Sequence, residues 1–237
     1  MTKISQSLIK DMTGEYCEYY LKLKYIDGIQ TEPTTAMMAG LAFESKLLGS
    51  ARGGVFEYPK LKNGGISAAE KDIDEVVQFA RDIFIENKIE VLDVQVFQEN
   101  DNALGTIDAI IKLNGKLMIM DVKFTGLTYD QFERELTYSQ LLTNYALQSR
   151  QYQSLHQVKL PFLFAVFSKH GWCRMFGFHY NEEAIIDHKH LIKAKELEFN
   201  SLTFKPATDA NMCFKCNLKD ICTKRSNRIN IEVIENY

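Results

Sequence analysis

The chain has 237 residues, of which 46% are hydrophobic and 25% are charged, and its formal net charge is −3 at pH 7. This length suits one large domain or two small ones, and the apolar content is ample for a packed core. The near-balance of charges excludes a protein that is basic overall, so any contact with nucleic acid has to come from a local patch.

No run of about 18 apolar residues occurs, which excludes a membrane-spanning helix. The first residues, MTKISQSLIKDM, lack the apolar stretch of a signal peptide. We therefore expect a soluble, cytoplasmic protein that does not contact a membrane. In that reducing compartment the five cysteines, an odd number, argue against a disulfide framework.

Helices dominate the first third of the chain. A capping box, in which Ser67 and Glu70 would satisfy each other's backbone N–H groups, begins the fourth of them. Apolar residues then recur at helical spacing until about Lys88. A short stretch before this helix, VFEY at 55–58, is a strand candidate. The predicted helices cover about residues 5–12, 17–26, 35–48 and 67–88.

Strands and helices alternate in the rest of the chain. One long helix is predicted to begin at Thr128 and to run through Tyr138 to about Gln151. The predicted strands cover about residues 91–98, 103–113, 116–124, 159–168 and 172–180, and a last helix covers about 182–199. The pattern predicts an α/β fold in which helices flank a central mixed β-sheet.

Residues 103–124, ALGTIDAIIKLNGKLMIMDVKF, consist of two β-rich runs around the pair Asn114-Gly115. This pair is the strongest short signal for a hairpin, because a two-residue type I′ turn needs positive φ at both central positions. With that turn, Leu113 faces Lys116. The same register places Asp108 opposite Asp121.

Two opposed acids and a lysine then share one face of this hairpin. Side chains alternate along a strand, so Asp121 and Lys123 point to the same side while Val122 points away. Carboxylates opposed at roughly 5 Å between Cβ atoms repel each other, and the apolar neighbours of Asp108 and Asp121 imply a half-buried setting. A divalent cation between the acids is the simplest remedy. The alternative is a solvated face on which each acid has its own lysine or water.

The order helix, strands, Asp…Asp-x-Lys hairpin, helix and strand resembles the PD-(D/E)XK nuclease superfamily. More narrowly, the chain is similar to the RecB-type branch, which includes the AddB nuclease domain and the CRISPR-associated exonucleases that carry an iron-sulfur cluster. The family's Gly-x-Ile-Asp is matched by Gly105-Thr106-Ile107-Asp108, and its second acid and lysine are matched by Asp121-Val122-Lys123. The resemblance covers nearly the whole chain and implies a restriction-endonuclease-like core.

The resemblance also implies a set of ligands for a divalent cation. Many relatives carry Gly-x-x-x-His on an upstream helix, and here Gly40-Leu-Ala-Phe-Glu44 puts a glutamate in that position. Mg²⁺ and Mn²⁺ prefer oxygen ligands, so the substitution keeps a suitable donor. Lys123 would orient or help to deprotonate an attacking water. The implied ligands of the cation are Glu44, Asp108, Asp121 and the carbonyl of Val122.

RecB-type enzymes commonly carry a Gln-x-x-x-Tyr pair on the helix that follows the lysine strand. This chain departs from that spacing, because Gln140 and Tyr145 are five residues apart, which is about 140° round a helix at roughly 100° per residue. The two side chains do not share a face without a local distortion of the helix. Either one of them is a substitute positioning group in the catalytic site, or both are packing and surface residues.

Four of the five cysteines match the spacing of the cluster ligands in the AddB and CRISPR-associated relatives. Cys213-x-x-Cys216 is followed after five residues by Cys222, and Cys17 lies near the start of the chain. Four thiolates suit either a [4Fe-4S] cluster or structural zinc, and the spacing alone does not choose between them. The resemblance favours [4Fe-4S], which would join the N- and C-terminal segments. Cys173 is expected to be a core or strand residue.

The chain contains no internal repeat and no linker-like tract, so we predict a single nuclease domain over 1–237. Its core would cover about 35–180, with cluster-binding segments at about 1–30 and 200–225. The densest basic stretch surrounds the C-terminal cysteines, where either contact with DNA phosphates or plain surface charge would account for it. Its residues are Lys215, Lys219, Lys224, Arg225 and Arg228.

The function that these motifs favour is that of a metal-dependent DNA exonuclease acting on DNA ends or single strands. Recombination, repair, phage DNA processing and CRISPR adaptation are all compatible settings, and each allows a protein partner. A second hypothesis is a catalytically silent DNA-binding or scaffold subunit with a nuclease-like fold. A third is an iron-sulfur or zinc regulator of transcription, for which the sequence shows no convincing helix-turn-helix.

Overall fold

A computed structural model describes residues 2–14, 17–52, 54–156, 159–206, 213, 216–219 and 221–222. The chain divides into two compact units, of which the first comprises Met1–Glu32 and Ala194–Tyr237 and the second comprises Pro33–Lys193. The predicted core falls within the second unit, and the single-domain organisation stays a prediction. Within these described ranges, no helix is long and apolar enough to cross a membrane; the cytoplasmic location stays a prediction.

The described part of the chain contains seven helices and five strands. The helices are α1 Gln6–Thr13, α2 Glu18–Tyr25, α3 Thr35–Leu48, α4 Ala68–Glu86, α5 Tyr129–Tyr138, α6 Leu141–Leu155 and α7 Glu182–Ser201. The strands are β1 Ile89–Glu99, β2 Leu104–Leu113, β3 Lys116–Thr125, β4 Phe162–Ser168 and β5 Cys173–Phe178.

The five strands form one sheet in the order β1-β2-β3-β4-β5. The β3–β4 pair is parallel and the other three pairs are antiparallel. A parallel pair needs a crossover connection, which α5 and α6 supply. The predicted α/β fold with a central mixed sheet flanked by helices is therefore confirmed.

Helices cover both faces of this sheet. On one face, Phe43 of α3 and Phe84 of α4 pack against Phe167 of β4, with ring centroids 5.7 and 6.2 Å apart respectively. On the other face, Phe132 of α5 joins the cluster around Phe164 of β4. Every residue of β4 is buried, which explains its continuous apolar sequence FLFAVF.

The hairpin between β2 and β3 has the turn that the sequence predicts. The φ angles are 49° at Asn114 and 79° at Gly115, the left-handed conformation that a type I′ turn needs at both positions. The paired residues begin with Leu113 and Lys116 and continue for five pairs in the expected register. The turn and this part of the register are confirmed.

The predicted single helix over 128–151 is instead two helices, α5 and α6. Ser139 ends α5 in an extended conformation, and its Oγ donates a hydrogen bond to the Glu135 carbonyl at 2.5 Å. The same Oγ accepts a hydrogen bond from the Leu141 N–H at 3.1 Å. The Leu141 N–H, which in a continuous helix would donate to the Thr137 carbonyl, donates to the serine side chain instead, and α5 ends here.

The stretch VFEY, predicted as a strand candidate, belongs to none of the five strands. The Phe56 N–H donates to the Oγ of Ser45 in α3 at 2.9 Å, so its backbone donor is satisfied by a helix side chain. The segment follows α3 as a loop, and its Tyr58 is buried in the core cluster beneath α3 and α4.

A buried histidine joins α7 to α6. His188 is 3% exposed, and its Nε2 lies 2.9 Å from Oε1 of the buried Gln151. Its Nδ1 has no hydrogen-bond partner among the residues described. Burial, with a smaller contribution from Arg150, lowers the pKa of His188 to about 4. The neutral imidazole is therefore the form that the folded state holds.

We expect His188 to make stability fall with acidity. Its pKa is lower in the folded than in the unfolded state, so its contribution is full above about pH 6.5 and is lost as the pH falls towards 4. The loss would amount to about 3 kcal/mol of unfolding free energy. In urea unfolding between pH 4.5 and 7.5, His188→Asn should be less stable than the parent at pH 7 and should depend less on pH. His190→Asn, an exposed position on the same helix, is the control; equal pH slopes for parent and His188→Asn would contradict the assignment.

Candidate active site

The predicted acids lie where β2 and β3 separate. Their backbone pairing ends at Ala109 and Met120, one pair before Asp108 and Asp121. From that point the Val122 N–H donates to Oδ2 of Asp108 at 3.1 Å, so a carboxylate replaces the neighbouring strand as its acceptor. The two strands therefore diverge at the acids, and the gap between them holds the carboxylates.

Asp121 lies at the bottom of this gap and is 1% exposed. Its Oδ1 accepts a hydrogen bond from Nε2 of Gln148 on α6. Its Oδ2 forms an ion pair with Nζ of Lys123, two residues along the same strand. The Lys123 ammonium also lies 6.0 Å from the ring centroid of Phe164. The predicted neighbours Asp121 and Lys123 are thus brought together.

Helix α3 brings Glu44 to the same place. The helix is fixed by its neighbour Phe43, whose ring is fully buried against Phe124 at 5.4 Å between centroids. Glu44 itself is half-buried, and its Oε1 accepts a hydrogen bond from Nε2 of Gln95 on β1 at 2.7 Å. It lies near enough to Asp121 and Lys123 to interact with both charges.

Lys123 carries too little positive charge to balance the three carboxyl groups of Glu44, Asp108 and Asp121. Burial, followed by repulsion from Asp121, raises the pKa of Asp108 well above its usual value. Burial also raises the pKa values of Asp121 and Glu44, although Lys123 acts in the opposite direction on both. Burial acts to lower the pKa of Lys123, but the fields of Asp121 and Asp108 outweigh it and raise that pKa, so the ammonium stays charged.

This set of groups fits a hard divalent cation. Carboxylate oxygens are the donors that Mg²⁺ and Mn²⁺ prefer, and one ammonium leaves the cluster of three acids with an excess of negative charge. Across the described ranges, no three His, Cys, Asp or Glu side chains are already arranged to hold a metal ion. The part that the Val122 carbonyl would play as a ligand stays a prediction; its side chain is buried in the opposite core.

Helix α6 presents a polar row to the acids. Gln148 and Tyr152 are four residues apart and therefore lie on one face of the helix. Tyr145, three residues before Gln148, is on the same side and stacks on Phe164 with centroids 4.4 Å apart. Burial, with the field of Asp121, raises the pKa values of Tyr145 and Tyr152, which keeps both hydroxyls protonated.

Of the predicted pair on this helix, the structure brings one residue to the site. Tyr145 lies within electrostatic reach of Lys123 and Asp121, whereas Gln140 is the exposed N-cap of α6. Gln148 and Tyr152 were not predicted from the sequence, although Gln148-x-x-x-Tyr152 has the four-residue spacing of the RecB-type pair. This spacing is the sequence signal from which Gln148 and Tyr152 could have been predicted.

Gly105, in the Gly-x-Ile-Asp match, lets α6 approach β2. A Cβ atom at this position would lie 2.7 Å from Cε1 of Tyr152 and 3.3 Å from Cδ1 of Leu155. The Tyr152 ring cannot easily retreat, because it stacks on Phe162 with centroids 5.9 Å apart. Because Gly105 has no side chain, α6 can pack close to β2, and this packing sets the distance of Tyr152 and Gln148 from the sheet.

The predicted cluster cysteines lie in the first unit. Cys17 is the N-cap of α2, and its Sγ accepts a hydrogen bond from the Tyr20 N–H at 3.4 Å. Burial raises the pKa of Cys216, and the fields of Cys17, Cys222 and Cys213 raise it further. Cys17, Cys213 and Cys222 are therefore close enough to Cys216 to influence its pKa.

The predictions for Cys173 and for the basic stretch near the C-terminus have different outcomes. Cys173 lies in β5, packs against the core under α3 and α4, and has its pKa raised to about 11 by burial, as befits a strand thiol. The basic stretch at the C-terminus falls largely outside the described residues, namely at Lys215, Lys224, Arg225 and Arg228.

Comparison with known proteins shows the fold. A protein described as a proposed exonuclease of Eubacterium rectale superposes with a TM-score of 0.65 at 21% identity, over 96% of this chain and 89% of that one. The alkaline exonuclease LHK-Exo of Laribacter hongkongensis gives 0.51 at 10% identity, over 84% and 89% of the two chains. LHK-Exo in complex with dAMP gives 0.53 at 12% identity, with the same coverage. No protein-family model and no curated protein sequence matches the chain.

We expect Gly105→Ala to destabilise the protein by about 1–3 kcal/mol, because the added methyl group overlaps the Tyr152 ring. Urea unfolding measures the loss. Gly54→Ala is the control, since its Cβ would meet nothing within 4 Å and its φ is not positive. A Gly105→Ala protein as stable as Gly54→Ala would show that α6 is not held against β2 as described.

Proposed function

We propose that this protein is a Mg²⁺- or Mn²⁺-dependent DNA exonuclease. The observation that carries the proposal is the gap between β2 and β3, in which the half-buried Asp108 and the buried Asp121 have Lys123 as their nearest positive charge. The RecB-type resemblance and the fold shared with two exonucleases support the same conclusion.

Each residue of the site has a defined task in this proposal. Glu44, Asp108 and Asp121, with the Val122 carbonyl, would hold the cation. When bound, the cation would lower the pKa of a water molecule and neutralise negative charge on the scissile phosphate. Lys123 keeps its proton, so it would act mainly through its positive charge, by orienting the attacking water and the phosphate.

The residues of α6 would organise this centre. Gln148 fixes the orientation of Asp121 by donating to Oδ1, which leaves Oδ2 to the cationic partner. Tyr145 and Tyr152 would line the substrate side as neutral hydroxyls on an apolar wall. Gln140, at the exposed start of α6, is not included in the proposed site.

We propose DNA ends or single strands as substrate. In this proposal one phosphodiester would lie beside the carboxylates of the gap, and the base of an accompanying nucleotide would meet the aromatic groups of α6 and β4. LHK-Exo has been crystallised with dAMP, the monomer that a deoxyribonuclease releases. Recombination, repair, phage DNA processing and CRISPR adaptation remain alternative settings, each with room for a protein partner.

We further propose that Cys17, Cys213, Cys216 and Cys222 hold a [4Fe-4S] cluster, with zinc as the alternative occupant. Support comes from the spacing in the sequence and from the influence of the other three thiols on the pKa of Cys216. Such a cluster would act as a structural link between segments far apart in the sequence.

Replacement of either acid, Asp108 or Asp121, should abolish cleavage and should not unfold the protein. Asp108→Asn and Asp121→Asn keep the side-chain volume. Each of these variants, and separately the variant Lys123→Met, should lower kcat/KM by at least about 100-fold. Asp108→Asn should also raise the free energy of unfolding, because it removes a charge that burial and Asp121 disfavour. The measurements are release of nucleotides from end-labelled DNA with Mn²⁺ or Mg²⁺, and urea unfolding.

Asp93→Asn is the matched control, an exposed acid on the neighbouring strand. Parent-like cleavage by any of the three site variants would refute the assignment of the centre. An inactive but DNA-binding parent protein would favour the catalytically silent subunit over the nuclease.

Anaerobic purification tests the cysteine cluster. We expect a coloured protein with about four irons per chain, as four thiolates in this spacing bind in a [4Fe-4S] protein. Cys216→Ser should lose the visible absorbance and most of the iron, while Cys173→Ser, in β5, should keep both. One zinc and no iron per chain would establish the alternative occupant, and neither metal would contradict the cluster.

A further inference from the structure

The register of β1 and β2 brings Gln95 level with Asp108 at the candidate active site. Val94 pairs with Ala109 and Val96 pairs with Ile107, so Gln95 and Asp108 occupy the positions between these two pairs. Asp108 is the first residue of β2 beyond the last pair with β3, and Asp121 is its counterpart on β3. Gln95, Asp108 and Asp121 therefore lie in one row across the sheet.

The backbone of Gln95 is irregular within β1. Its φ is 52°, a left-handed conformation that a glutamine rarely adopts and that interrupts an extended strand. Irregularities of this kind turn a side chain away from the direction that the regular pleat would give it. Strain of this sort persists where the surroundings hold the residue in place, and it is common at functional sites.

The side chain of Gln95 shows what the irregularity achieves. Its Nε2 donates to Oε1 of Glu44 at 2.7 Å, across 51 residues of sequence and from a strand to a helix. The bond has a charged acceptor, which makes it stronger and more directional than a bond between neutral groups. Both side chains are half-buried, so water competes only in part.

We propose that Gln95 is a positioning residue that fixes the carboxylate of Glu44 towards the cation of the proposed nuclease. The inference rests on the proposed function. With Oε1 held by the amide, Glu44 can turn only its other oxygen towards Asp121 and Lys123. A glutamate on an α-helix has three side-chain torsions, and without this bond the carboxylate would sample several orientations.

Two substitutions separate positioning from packing. Gln95→Met keeps the side-chain length and removes the donor, while Gln95→Gly removes the donor and also suits the positive φ. Kinetically, each should lower the cleavage rate with Mn²⁺ by about 10- to 100-fold, as expected for a lost bond to a charged group. Gln95→Gly should melt at or above the parent temperature, so that activity and stability move in opposite directions.

Lys88→Gly is the matched control for strain. Lys88 has a φ of 54° at the exposed end of α4, away from the carboxylates, so its replacement should raise the melting temperature and leave cleavage unchanged. A structural role for Gln95 would instead lower the melting temperature and the activity together.

A double-mutant cycle with Glu44→Gln tests whether Gln95 acts through Glu44. Mn²⁺ affinity, measured by electron paramagnetic resonance, is the second readout and does not depend on cleavage. Gln95→Met should weaken Mn²⁺ binding at least fivefold in the parent and less than twofold in the Glu44→Gln background. Equal losses in both backgrounds, or parent-like cleavage and Mn²⁺ affinity in Gln95→Met, would overturn the inference.

The two proposals fail in different ways. A parent protein that binds Mn²⁺ but degrades no DNA would refute the nuclease, and the cycle on Mn²⁺ affinity would still uphold or overturn the role of Gln95. A parent protein that neither binds Mn²⁺ nor degrades DNA would refute both.

Discussion

The structure depends on the burial of three carboxyl groups around one ammonium. Asp121 is held away from water and Asp108 and Glu44 partly so, and burial is the largest influence on the pKa of each. Lys123 compensates for only part of this charge. The other close partners, Gln148 and the Val122 N–H, also donate to carboxylate oxygens. The groups around the site therefore act to hold negative charge that burial disfavours, which is the charge that the proposed cation would balance.

This arrangement is possible because the two edges of β3 are paired differently in the sheet. Towards β4, the parallel pairing continues without interruption through Asp121 and Lys123 to the end of the strand. Towards β2, the pairing stops before the acids. The edge towards β4 thus holds β3 firmly, since β4 is buried along its whole length. The edge towards β2 leaves the space for the carboxylates. A strand that was paired on both sides would leave no room between the carboxylates, and one paired on neither would not hold them.

The sequence predicted the parts of this site that depend on local chemistry. Asn114-Gly115 determines the turn and hence the register, and alternation along β3 places Asp121 and Lys123 together. Gln148 was not predicted because the Gln-x-x-x-Tyr pattern was sought at Gln140 and Tyr145, and the predicted helix ended at about Gln151, before Tyr152. Gln95 could not have been found in this way, because no sequence pattern indicates a left-handed glutamine within a strand.

The irregularities of the sheet identify the site independently of any family motif. The β3–β4 and β4–β5 ladders are regular and the faces of the sheet are apolar, while β1 also has a register shift between Val91 and Asp93. In the row formed by Gln95, Asp108 and Asp121, the β2–β3 pairing has ended, Gln95 adopts a strained φ, and one buried acid lies beside a half-buried one. Each exception lowers stability, and packing alone gives no reason for them to coincide. Their coincidence is explained if the row is shaped for a cation and a phosphate, because function is the usual reason for a sequence to break local rules at one place.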